Sequence, residues 1–165
     1  MDPARERAPA LAAAWPEAVG IRYAVGGRAL LHLLEMEIPG VDLDVLVPGE
    51  ARESIESAPW PPLDPKEADP RFPSDWIRRF VVEGVTVEII GSMRARLGDR
   101  VVDLPIGGGE TATLAGRPVM LAPAGPWYHL YRRYRPDRAE ALRRLVGDGP
   151  VVAAAAAMGL PLSSG

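Results

Sequence analysis

The chain contains no cysteine, which removes disulfide frameworks, thiolate metal sites and thiol nucleophiles together. Asparagine and glutamine are absent too, a bias that fits either a hot-living source or a skewed genome. Lysine is almost absent. Lys66 stands alone, so the positive charge is nearly all arginine, whose planar fork can clamp phosphate unaided. No apolar run is long enough to span a bilayer, and the charged start at Asp2, Arg5, Glu6 and Arg7 lacks a secretory apolar segment. These absences together lead us to expect a cytoplasmic chain with no membrane partner.

At 165 residues the chain can bury one substantial core but is short for two. We expect a single domain over residues 10–146 and a C-terminal helical tail over 147–165. The formal net charge of -3 does not advertise a nucleic-acid-binding surface, although a local basic groove is compatible with it.

Residues 1–8 read as a loose tail, because Pro3 and Pro9 interrupt regular structure. Ala10 to Ala18 suggests a first helix that Pro16 ends, kinks or opens. Ile21 to Val25 is apolar enough for a buried strand. Gly26-Gly27 permits a tight turn, and Arg28 to Met36 puts Leu30, Leu31, Leu33 and Leu34 on a helical stripe. Pro39-Gly40 then breaks the chain before a strand from Val41 to Val47.

Ala51 to Ser57 fits a short helix. Pro59 through Pro73 reads as a long surface connection whose Trp60 and Phe72 either cover a ligand or pin the loop to the core. Ile77–Val82 and Val85–Ile90 form a hairpin candidate around Glu83-Gly84. Gly91 to Gly109 is mixed, and its triple glycine lacks the spacing of a nucleotide-binding fingerprint. Thr111–Leu114 and Pro118–Leu121 suggest a second hairpin. Helices follow over Pro126–Arg133 and Asp137–Val146, then an alanine-rich one over Val151–Met158 that we expect to dock weakly, since alanine buries little area.

Alternation along the strand sends Asp42 and Asp44 to one face, roughly 6 to 7 Å apart at their backbones. Glu88 is a carboxylate set into an apolar strand, costly to bury unless it meets a cation or donors. If the two strands are neighbours, these three carboxylates can hold divalent magnesium, which offsets the charge of a nucleotide triphosphate. Gly26 and Gly27 would admit phosphate to backbone donors, helped by the following helix N-terminus. Arg28 either contacts phosphate or solubilises its helix. His32 has no ligand cluster around it, so packing or hydrogen bonding is its simpler role. Arg132, Arg133 and Arg135 form a second candidate nucleotide-binding cluster or a solvated helix end. Tyr128, Tyr131 and Tyr134 beside them are either stacking surface or a core-facing stripe.

Gly26-Gly27, Asp42-Leu43-Asp44 and Val85-Thr86-Val87-Glu88-Ile89 resemble the minimal nucleotidyltransferase branch of the DNA polymerase beta superfamily. The order, with Arg133-Tyr134-Arg135-Pro136-Asp137 before an apolar-faced helix, is similar to nucleotidyltransferase-like toxin and antitoxin proteins. The match is best from Tyr23 to Ile90 and looser from Gly116 to Val146. The resemblance implies an α+β fold with a mixed, twisted sheet and flanking helices. It also implies transfer of a nucleoside monophosphate from a nucleotide triphosphate to a hydroxyl of a small molecule, RNA or protein. Asp42, Asp44 and Glu88 would be the catalytic and Mg2+-binding carboxylates. Glu88 departs from the family's usual third aspartate by one methylene, and arginine stands at Arg135 where lysine is common. Two other functions remain open. One is a catalytically silent relative that binds a protein partner such as a toxin; the other is a metal-dependent hydrolase.

Overall fold

The computed structural model describes residues 3–27, 30–31 and 43–161. Arg28, His32 and Asp42 therefore lie outside the described residues, as does most of the helix expected over Arg28–Met36. Gly27, Leu30 and Leu31 are helical, and both leucines are buried.

Five strands build the central sheet: β1 (Ala24–Gly26), β2 (Leu43–Val47), β3 (Pro62–Leu63), β4 (Trp76–Val82) and β5 (Val85–Gly91). Their spatial order is β1-β2-β5-β4-β3. β1 runs antiparallel to β2, and β4 runs antiparallel to both β3 and β5, whereas β2 and β5 are parallel. A parallel pair cannot be closed by a tight turn, so the chain must make a long excursion between its two strands. Here that excursion includes a 3-10 turn (Gly49–Ala51), helix α2 (Arg52–Glu56), β3 and β4. The β4–β5 turn is the local anchor of the sheet. Glu83 and Gly84 take φ 50° and 76°, the left-handed pair whose twist suits a two-residue hairpin.

Period-two alternation divides the sheet's side chains between two faces. Phe80, Val87 and Ile89 belong to one face, where Trp60 stacks edge-on against Phe80 at 5.9 Å and Trp15 of α1 (Pro3–Ala18) stacks on Trp60 at 6.4 Å. Asp44, Glu88, Ile77 and Ile90 belong to the other, beneath α3 (Ala124–Tyr134). The segment between α2 and β4 wraps the sheet edge. Trp60 packs on the first face while Lys66 to Phe72 reach the second.

Helix α1 begins at Pro3, so the expected loose tail is a correction. Proline is well tolerated in a first turn, and the buried alanine face of Ala8, Ala12 and Ala13 offsets the hydrogen bond lost at Pro9. Residues expected to be mixed contain a further hairpin, β6 (Arg94–Leu97) with β7 (Arg100–Asp103). The second expected hairpin is β8 (Thr111–Leu114) with β9 (Arg117–Met120), and its exit residue Leu121 bridges to Val25 of β1. No described helix is long and apolar enough to cross a membrane.

The C-terminal helices are α4 (Pro136–Val146) and α5 (Asp148–Met158). Contrary to the weak docking expected, α5 packs closely on α3. Ala154 and Ala155 are buried, and His129 Nε2 lies 2.8 Å from the Val151 carbonyl. A side chain at Gly125 would collide with the Pro150 carbonyl and come 2.8 Å from Ala154 Cβ. Small residues gain here by letting backbones approach, which area burial alone does not capture. Gly125→Ala should therefore destabilise the chain by about 1–3 kcal/mol in urea unfolding. Gly149→Ala, which meets nothing within 4 Å, should leave stability unchanged or slightly raised.

Candidate functional site

Parallel pairing sets Asp44 directly beside Glu88, and antiparallel pairing sets Gly26 beside Asp44 from the other side. These contacts join positions far apart in sequence into one strip across three strands. Gly27 follows with φ 65°, a conformation that favours glycine, and a Cβ there would collide with Asp44 Oδ2. Gly26 is equally constrained. A Cβ on it would sit 2.5 Å from Trp127 Cζ2, so the β1 terminus rests against the indole of α3. The expected glycine turn thus serves two close approaches, one to a carboxylate and one to an aromatic ring.

A cavity of about 340 Å³ opens above this strip, lined by Gly27, Asp44 and Glu88 from the sheet side. Helix α3 contributes Trp127, Leu130, Tyr131 and Tyr134, and Arg135 and Arg138 follow from the start of α4. The wrapping segment closes the remaining side with Lys66, Glu67, Asp69, Arg71 and Phe72. This volume falls within the range of small-molecule sites. A larger space of about 560 Å³ lies among α3, α4, α5 and the glycine loop. Among the described residues Glu110 is its only charged lining residue, which makes the smaller cavity the candidate site.

Glu88 is 8% exposed and does not sit bare. Lys66 Nζ lies 2.5 Å from its Oε1, and Arg79 Nε, directly across on β4, lies 3.6 Å from the same oxygen. These two cations answer the desolvation cost anticipated for a carboxylate in an apolar strand. The longer glutamate side chain brings its carboxylate within reach of the loop lysine.

The wall opposite the sheet is tied together by aromatic and ionic contacts. Arg71 forms a forked pair with Asp69, with Nη2 2.7 Å from Oδ2, and stacks over both Phe72 and Tyr134 at 5.4 and 5.7 Å. Phe72 meets Tyr134 edge-on at 5.4 Å, and the Tyr134 hydroxyl donates to the Arg96 carbonyl. The arginine's hydrogen bonds hold the Asp69 carboxyl below its usual range. Arg138 covers the Tyr131 ring at 5.8 Å. Tyr128 and Tyr131 are buried, which makes much of the tyrosine stripe core-facing.

Of the arginine cluster, Arg135 faces the cavity, whereas Arg132 and Arg133 are exposed outside its lining; Arg133 stacks over Tyr134 at 5.7 Å. Lys66, Asp69, Arg71 and Arg138 complete the site without having been anticipated. Lys66 alone carried a sequence signal, as the single lysine in an unusually long connection.

Among the described residues, no group of three or more His, Asp or Glu side chains is placed to hold a metal ion. Asp44 and Glu88 nevertheless suit a hard divalent cation by donor chemistry, since both offer carboxylate oxygen. The Lys66 ammonium against Glu88 shows that positive charge is accommodated at that point.

No protein-family model and no curated protein matches the chain. Solved structures do match. A protein of Thermotoga maritima named as a nucleotidyltransferase aligns with 19% identity and a TM-score of 0.50, over 78% of this chain and 83% of that one. The antibiotic-resistance factor ANT(2'')-Ia in solution aligns with 14% identity and a TM-score of 0.57, over 93% and 89% of the respective chains. Its crystal structure in complex with adenylyl-2''-tobramycin aligns with 13% identity and the same TM-score of 0.57, over 96% and 98%. The chain therefore has the nucleotidyltransferase fold, with the mixed twisted sheet and flanking helices expected of it.

The Asp69–Arg71 fork yields a pH prediction. A carboxylate whose folded-state pKa is lowered stabilises the fold above its unfolded value, and that contribution vanishes as pH falls through the folded value. Because Asp69 is partly exposed, the effect is small. In urea midpoints measured downward from neutral pH, the parent should lose its advantage over Asp69→Asn below about pH 4.

Proposed function

We propose that this chain transfers a nucleoside monophosphate from a nucleotide triphosphate to a hydroxyl acceptor, with magnesium. The observation that carries the proposal is the in-register Asp44–Glu88 pair in the lining of a cavity that Gly27 of the glycine turn also lines. Likeness to a fold solved with an adenylylated tobramycin supports the direction of the chemistry. A small molecule, an RNA or a protein remains the acceptor class, and ATP is the natural first donor to try.

In this reaction the acceptor oxygen bonds to the α-phosphorus while the bond to the bridging oxygen breaks. Pyrophosphate leaves with the electron pair, and the hydroxyl proton passes to Asp44 or Glu88. Divalent magnesium, when bound, would neutralise phosphate charge and sharpen the electrophile. Asp44 and Glu88 would hold it, with Asp42 as a third carboxylate in the motif. Gly27, having no Cβ, lets the Asp44 carboxylate lie against its backbone, and it lines the cavity that phosphate would enter. Arg135, Arg138 and Arg71 ring the cavity and would offset charge on the departing pyrophosphate. Most of the rate would come from positioning and charge compensation.

One observation favours a second function. Glu88 is already neutralised by Lys66 and Arg79, as it would be in a silent relative whose fold serves a protein partner. The two functions part on Asp44. Catalysis predicts that Asp44→Asn reduces magnesium-dependent pyrophosphate release from ATP by at least about a hundredfold, with the melting temperature retained. A partner-binding role predicts no nucleotide turnover in the parent and intact partner capture by the variant.

A further inference from the structure

The single lysine of the chain is the residue that meets the buried carboxylate. Lys66 lies in a run of exposed residues, and its own side chain is half exposed, yet its ammonium reaches Glu88 at 2.5 Å. The run is fastened at both ends. Trp60 packs on Phe80 before it, and the Asp69–Arg71–Phe72 wall is stacked on Tyr134 after it. β3 (Pro62–Leu63) is paired with β4 and Arg79 donates to the Asp64 carbonyl, so the part that can move without unpacking either face is the stretch from Pro65 to Ala68.

The two cations on Glu88 are unequal. Arg79 belongs to β4 and is fixed by the sheet, but its Nε lies beyond hydrogen-bond distance and has no hydrogen-bond partner. Lys66 supplies the close contact from a half-exposed side chain, the kind of pair that solvent makes easy to break. An ammonium is a compact point charge on a flexible stem, so it can occupy and vacate a cation position as an arginine fork cannot. Asp44 shares the strip with Glu88, and a divalent ion held between them would repel the ammonium.

We propose that Lys66 is a tethered counter-cation for Glu88, which gives up that carboxylate when a divalent cation enters beside Asp44, freeing the exposed run around it. The proposal rests on the assignment of the cavity as a divalent-cation site. Without the ion, Lys66 masks Glu88 and keeps the segment over the cavity. With the ion, the segment opens and the lysine becomes available to the phosphates of an entering nucleotide.

An endoproteinase that cuts after lysine has one target in the full chain, the Lys66–Glu67 bond. In chelator, cleavage of the folded protein should be slow. Manganese should raise the rate about fivefold, the scale of a surface ion pair, after correction for its effect on a lysine peptide. Glu88→Gln should be cut at the fast rate with or without metal. In calorimetry, Lys66→Met should bind manganese about fivefold more tightly than the parent, at a site lost in Asp44→Asn. If manganese binds the parent at that site but neither the cleavage rate nor the Lys66→Met affinity changes, the counter-cation role is overturned while the cation site stands. If manganese binds neither protein, both fail.

Discussion

The parallel pairing of β2 with β5 is the constraint on which the site depends. Asp44 and Glu88 are separated by two helical turns, a wrapping segment and a full strand, and only this pairing brings them level. The sheet tolerates one parallel contact because the β4–β5 hairpin returns the chain antiparallel to it. The hairpin is local and strongly specified by Glu83-Gly84, so β5 can form before its long-range partner is found. Register then fixes chemistry. A slip by one residue would turn Glu88 to the face that packs on Trp60 and set an apolar side chain beside Asp44.

Packing on both sides supports that strip for different reasons. On one face the Trp15–Trp60–Phe80 stack pins the wrapping segment to the core. On the other, Trp127 rests against Gly26 and holds the glycine turn over Asp44. A segment secured on two faces of one sheet edge can present charged side chains to a cavity without a regular element of its own beyond the short β3. Whether Trp60 and Phe72 cover a ligand or pin the loop is thus a false choice. Trp60 pins, while Phe72 pins and also lines the cavity.

Much of this was legible in the sequence. The alternation from Ile77 to Ile90 and its two turn residues specify a hairpin without help from the rest of the chain. The apolar strand after Pro39-Gly40 and the inserted glutamate were visible for the same reason, because burial leaves a periodic trace. Less visible was the β6–β7 hairpin. Its strands carry several arginines and an aspartate, with Ala95 and Val102 as the main buried positions, so alternation is nearly erased. The start of α1 was obscured by prolines whose cost is met by tertiary packing. The contact of Lys66 with Glu88 was illegible, since an exposed loop residue has no period and its partner is set by a register formed elsewhere.

The same physics explains how a glutamate is accommodated within an apolar strand. Its carboxylate reaches toward Lys66 and Arg79, and the strand gains a compensated charge instead of an orphaned one. The central claim is that Asp44, Glu88 and the Gly26-Gly27 turn form a nucleotide site. Its most direct test is an anomalous difference map from crystals of the full chain grown with manganese and a non-hydrolysable ATP analogue. The account predicts a manganese peak within bonding distance of Asp44 Oδ2, with triphosphate density over Gly27. Nucleotide bound outside this cavity, or a cavity empty at saturating ligand, would contradict it.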